Sequence, residues 1–122
     1  MSDMLKLSEN VKVYLCVEPY DMRKSINGLT AVIGDVFHQL PQSESLFIFS
    51  NRGKDKVKCI FWDKNGFVLY YKRMERGKFC FSKELKQLGN IELTQTQLEW
   101  LLAGLDFITM GKFPELNYRH YY

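Results

Sequence analysis

No apolar run in the 122-residue sequence approaches the roughly 18 residues needed to cross a bilayer. The opening MSDMLKLSEN has neither the cationic start nor the apolar stretch of a signal peptide. Both absences give the expectation of a cytoplasmic protein with no membrane partner. Histidine is scarce: His38 and His120 leave little for general acid–base chemistry near neutral pH. Three cysteines, Cys16, Cys59 and Cys80, cannot all pair, and none has another within four residues. Zinc sites require close Cys/His pairs, so these read as free thiols in a reducing compartment. No metal or other cofactor is expected. The sequence lacks a Gly-rich phosphate loop, a nucleophile elbow and a Cys–His dyad, so no enzyme is expected either.

What the chain has is aromatic residues at 15% and charge in one place. Between Arg52 and Lys78 lie nine Lys/Arg and three acids (Asp55, Asp63, Glu75), whereas the rest of the chain holds eight Lys/Arg against eleven acids. A positive field so localised draws polyanions.

The hydrophobic pattern predicts an α+β fold. VKVYLCV (11–17) alternates as a strand. After the turn EPYD, Asp21 is placed to cap a helix whose apolar residues Met22, Ile26, Leu29, Ile33, Val36, Phe37 and Leu40 recur at steps of three and four. Gly28 and Gly34 inside it each cost about 1 kcal/mol of helix propensity, which close packing or ligand approach would explain. An antiparallel meander of about four strands follows: 45–50, 56–62, 67–74 and 78–82, broken by the turns NRGK, DKNG and ERG. A C-terminal helix spans 93–106, with Thr94 and Gln97 as a capping box, Leu93 stapled on Leu98 and Gly104 as its stop. The expected organisation is an extension at 1–10, one domain at 11–106, and a loosely attached tail at 107–122.

Parity in the hairpin separates its two faces. A two-residue loop is read as setting Asp63 across from Val68, Phe61 from Tyr70, Cys59 from Lys72 and Val57 from Met74. That mainly apolar face should pack on a helix. The opposite face carries Trp62, Ile60, Leu69, Tyr71, Lys58 and Arg73, with Lys56 beyond; any even change of loop length keeps the faces. Arg73 then lies across from Lys58 or Lys56. Such like-charge pairing is destabilising unless an anion sits between the two. Cations interleaved with rings suit nucleic-acid contact; alternatively, long basic side chains line a solvated face and guard its edges. Trp62 and Tyr71 fit either stacking or the core. Arg23 and Lys24, in the first helical turn, either complete a phosphate site or pair with Asp21 or Glu18. Glu84 and Lys86, with Asp63, form a weak half-match to a metal-dependent nuclease.

Three blocks, VYLCVEPYDMRKSINGL, LFIFSNRGKDKVKCIFWDKNGFVLYYKRMERGKF and LTQTQLEWLLAGLD, resemble the small accessory protein (TnpB, Orf2-like) of the insertion-sequence-66 family of bacterial transposable elements. That family is unrelated to the RNA-guided nuclease sharing the name TnpB. The resemblance runs from Val11 to Asp106. It departs at Ser25, where the family has glycine, and at Tyr20 after Pro19, where it has Pro-Thr or the like. It implies a non-catalytic helper beside a large transposase that carries the catalytic acids. No active site carries over. The matching positions are Asp21, Met22, Arg23, Lys24, Gly28, Trp62, Asp63, Tyr71, Lys72, Arg73, Glu75, Arg76 and Gly77.

The resulting expectation is DNA binding through phosphates with low sequence specificity, at transposon ends, alongside the transposase. Arg52, Lys54, Lys56, Lys58, Lys72, Arg73, Arg76 and Lys78 would touch the backbone, with Trp62 and Tyr71 stacking and Arg23 and Lys24 as a second contact. The alternative is a protein adaptor that docks this surface on the transposase without touching DNA.

Overall fold

A computed structural model describes residues 7–81, 85 and 89–111. The elements are β1 (Lys12–Leu15), α1 (Ile26–Phe37), β2 (Ser45–Ser50), β3 (Lys56–Asp63), β4 (Gly66–Arg73), β5 (Ile91–Leu93), α2 (Gln95–Leu102) and α3 (Phe107–Gly111). The sheet order is β4-β3-β2-β1-β5. β2, β3 and β4 form the antiparallel meander, while β1 runs parallel to β2 and antiparallel to β5. The fold is therefore α+β with a mixed five-stranded sheet.

Helices cover both faces of the sheet, and strand alternation assigns the side chains. Leu29, Ile33 and Phe37 of α1 pack on Cys16, Phe47, Phe49 and Ile60. Phe37 lies at the centre of this layer, its ring 4.9 Å from that of Phe47 and 5.7 Å from that of Phe49. On the other face Leu98, Leu101 and Leu102 of α2, with Phe107, cover Val13, Leu15, Leu46, Ile48, Val57 and Cys59. Every residue of β2 is buried, because β2 is the central strand of the sheet and lies beneath both layers. Burying each large apolar side chain contributes about 1.5–3 kcal/mol, and Phe47→Ala would cost about 3–5 kcal/mol.

α2 is the best-signposted element. The Thr94 side chain accepts from the Gln97 backbone, and the Gln97 side chain accepts from the Thr94 N–H. At its other end Gly104 has φ +82°. There Gly104 N–H donates to the Leu101 carbonyl and Leu105 N–H to that of Trp100, which completes a Schellman cap.

Several expectations need correction. α1 begins at Ile26, with Ser25 as N-cap, rather than at Met22 behind an Asp21 cap. Asp21 instead forms a separate turn in which its carboxylate accepts from the Arg23 N–H. Arg23 and Lys24 therefore precede the helix. Its C-terminus comes at His38, in the left-handed region (φ 56°), so Leu40 is exposed rather than buried. The expected fourth meander strand is not formed over its described residues 78–81; Phe79 makes one backbone bond, to the Lys54 carbonyl, and inserts its ring into the core. β5 and α3 are additional elements.

The hairpin register is shifted by two along β4. Asp63 pairs with Gly66, Phe61 with Val68, Cys59 with Tyr70 and Val57 with Lys72. The reason is one of counting: Asp63 opposite Val68 leaves four residues, 64–67, in the loop, whereas a two-residue turn of Lys64 (φ 55°) and Asn65 sets Asp63 across from Gly66, which already belongs to the strand. The shift is even, so the assignment of faces stands. Glu84, Lys86 and the tail beyond Gly111 lie outside the described residues.

Candidate nucleic-acid interface

β1, β2 and β4 all finish at the end of the sheet where β3 starts. Three loops therefore meet there: 16–25, 51–55 and 74–81. They are tied by backbone bonds, with Tyr20 N–H donating to the Ser50 carbonyl, Met74 N–H to that of Asp55 and Phe79 N–H to that of Lys54. Asn51 organises the middle loop. Its Oδ1 accepts from the N–H groups of Asp55 (3.1 Å) and Lys56 (3.0 Å), and its Nδ2 donates to the Asp55 carboxylate at 2.6 Å. The Asn51 bond, assisted by Lys56, holds the Asp55 carboxyl below its ordinary value. Asn51 was legible in the sequence only as a generic turn residue.

Residues 18–24, 51–56 and 73–78, at or beside these loops, contain eight Lys/Arg and four Asp/Glu, a surplus of four positive charges. At the opposite end Glu9, Glu44 and Asp63 outnumber Lys12 and Lys64. The field thus runs along the strands rather than across a face. Among the described residues no group of three or more His, Cys, Asp or Glu could hold a metal ion.

The structure divides the expected cations by what they touch. Arg52, Arg76 and Lys78 are exposed, and Lys24 is partly so. Arg23 is exposed and forked onto Asp21 at 2.7–3.0 Å. That bond to Arg23 pulls the Asp21 carboxyl down to about 2. Lys54 (φ 62°) lies over the Phe81 ring, 4.7 Å from its centroid. Lys54, Arg52, Val17, Glu18 and Pro19 line a crevice of about 260 Å³ past the ends of β1 and β2. The carboxyl end of parallel strands is the usual place for a ligand in open α/β sheets.

Lys56 and Arg73 are directly opposed, one of the two pairings expected. No single anion bridges them; each pairs with its own neighbouring acid, Lys56 with Asp55 at 3.4 Å and Arg73 with Glu75 at 2.7 Å.

Lys58 and Lys72 turn inward. Lys58 is 8% exposed, and its ammonium donates to the carbonyls of Met22 and Lys24, each at 2.7 Å, while sitting 5.2 Å from the Tyr71 ring centroid. It thereby clamps the DMRK turn to the sheet. Gly28 fits under the same turn, since a Cβ there would come 3.1 Å from Lys24 Cβ. Lys72 donates to the Leu102 carbonyl at 2.7 Å and so caps α2.

The expected basic and aromatic sheet face is not open across its middle, where Ile60, Phe67 and Leu69 pack with α1. Tyr71 is 48% exposed on that face, beside Arg73. Trp62 packs edge-to-face on Phe67. It lies six residues along β3 from Lys56, roughly 20 Å away, and is not brought together with the loop cations.

The chain matches the profile of the family described as IS66 Orf2 like protein over residues 11–112. It is 31% identical over 111 residues to "Uncharacterized protein y4jC" of Sinorhizobium fredii, covering 91% of this chain and 93% of that one. It is 32% identical over 104 residues to "Uncharacterized protein y4hO" of the same organism, covering 85% and 89%. No solved structure matches it.

Proposed function

The chain belongs to the IS66 Orf2-like family, a family of transposition accessory proteins, and from that premise we propose that it assists the transposase by holding DNA phosphates at the three-loop end of its sheet. The observation that carries this reading is the eight-to-four excess of cations there, set on loops that the sheet and Asn51 hold in place. Arg52, Arg76, Lys78 and Lys24 make the primary contacts, and Lys54, at the crevice, is an auxiliary one. Arg23, Lys56 and Arg73 contribute less, because each shares its charge with a carboxylate. Lys58 and Lys72 position backbone and do not touch DNA. Phosphate contacts fix register without reading bases, so specificity is low and selection of transposon ends falls to the transposase. The protein performs no bond-breaking step itself.

The test is a titration with duplex DNA at several salt concentrations. Four or five phosphates neutralised give a slope of log K against log salt of roughly −4. A slope near zero sinks the proposal.

One observation favours the adaptor as a second reading: Tyr71 is exposed beside Arg73, and Tyr and Arg are common interface anchors. If Tyr71→Ala abolishes transposase capture while DNA affinity stays unchanged, that reading wins.

A further inference from the structure

The two edges of the sheet differ. β5 is three residues long, the usual protection for an edge, whereas β4 runs for eight residues without proline. β4 also carries Val68 and Tyr71, two of the four exposed large hydrophobics among the described residues. They point to opposite sides of the sheet. Because Met74 N–H bonds to Asp55, the even-numbered residues of β4 face β3. By the antiparallel alternation, the N–H and C=O groups of Phe67, Leu69, Tyr71 and Arg73 then point outward. Among the described residues no strand pairs with this ladder, and an edge with apolar side chains on both sides accepts another strand.

We propose that this edge pairs antiparallel with β4 of a second copy of the chain, across a two-fold axis at Leu69, giving a continuous ten-stranded sheet. A two-fold axis normal to a sheet keeps each residue on its own side, so opposed residues must have the same parity. With Leu69 on the axis, outward-facing Phe67 meets Tyr71 of the partner and the ladder bonds close. On the other side Val68 meets Tyr70, and Gly66 meets Lys72. Each exposed apolar residue thus gains an apolar neighbour, and no cation opposes another. A strand supplied by a different protein would need neither this self-matching nor a particular axis.

Sedimentation of the full chain at high micromolar concentration gives the first test, with dimer mass expected and a monomer overturning the proposal. Tyr71→Pro removes an outward N–H and the ring beside Lys58, but no hydrogen bond of the β3 ladder. It should yield a folded monomer by circular dichroism and mass; a Tyr71→Pro dimer overturns the proposal. Register is tested independently by oxidation of cysteine variants in a Cys59→Ala/Cys80→Ser background, because Cys59 lies directly across from residue 70. Opposed residues lie about 4.5–5.5 Å apart, so a mixture of Val68→Cys and Tyr70→Cys chains should cross-link while neither does alone. Cross-linking of Tyr70→Cys alone would put the axis at residue 70 and overturn the Leu69 register.

Discussion

Lys56 and Arg73 face each other directly across β3 and β4, and each is answered by a carboxylate beside it, Asp55 and Glu75. The Arg73–Glu75 pair is exposed on both sides, so solvent screens it and it adds little to stability. If the loop end holds DNA as proposed, Glu75 competes with phosphate for Arg73. Glu75→Gln should leave stability unchanged, tighten DNA binding and steepen the salt slope by about 0.9. Unchanged affinity in a filter-binding titration would remove Arg73 from the interface.

Lys58 and Arg52 make a contrasting pair. Lys58→Met leaves the Met22 and Lys24 carbonyls without their donor and should cost about 2–4 kcal/mol in urea denaturation. It should leave the salt slope of the folded protein unchanged. Arg52→Ala should do the reverse, with stability within about 0.5 kcal/mol and the slope reduced by about 0.9. If Lys58→Met alters the slope, the assignment of Lys58 as an internal clamp fails.

Gly104 and Gly77 both have positive φ, at +82° and +75°. An alanine Cβ at 104 would also meet Met74 Cε at 2.9 Å, whereas nothing lies within 4 Å at 77. Gly77→Ala should cost about 1 kcal/mol from the left-handed backbone alone. Gly104→Ala should cost only a little more, because the flexible end of Met74 can move aside, and the Met74→Ala background should remove that small difference. Thermal melts of the wild type, the three single variants and Met74→Ala/Gly104→Ala measure it.

The Asp21 carboxyl is lowered from 3.8 to about 2, chiefly by the side-chain bond from Arg23. The unfolded chain therefore takes up this proton at a higher pH than the folded one. The stabilisation is complete above about pH 4 and is lost as pH falls through about 2. The site is exposed, so the effect is small and salt weakens it. Asp21→Asn should flatten the stability profile between those values, and an NMR titration of the carboxyl should give the midpoint near 2. A midpoint near 3.8 would show that the Asp21–Arg23 fork does not persist in solution.

Local signals were the legible part of the fold. Hairpin parity correctly put Phe61, Tyr70 and Cys59 on one face packed against a helix, which the structure identifies as α2, because alternation survives an even register error. The Thr94–Gln97 capping box was written in four consecutive residues. The placement of β1 between β2 and β5 was not legible, since those pairings join distant segments and β5 has only three residues. Of the candidate site, the excess of cations was legible but its arrangement was not. A lysine in a strand reads as solvent-facing, yet Lys58 and Lys72 have buried backbone carbonyls as partners. Lys72 did leave a trace: parity put it on the apolar face, where a cation needs an internal acceptor. Asp21 drew the start of α1 too early because an Asx turn and an N-cap use the same residue types.

The position of β1 sets the order in which the protein can complete itself during synthesis. β1 leaves the ribosome before every other strand, yet its outer edge is closed only by Ile91–Leu93, and its Val13 and Leu15 side are covered by helix residues from Leu98 onward. The meander of 45–73 can assemble on β1 and α1 while the far edge and one whole face stay bare. A chain extruded only as far as Leu93 is thus a sheet covered by α1 on one face, with Val13, Leu46, Val57 and Cys59 on the other met by Phe79 and Leu85 but not yet by the leucines of α2.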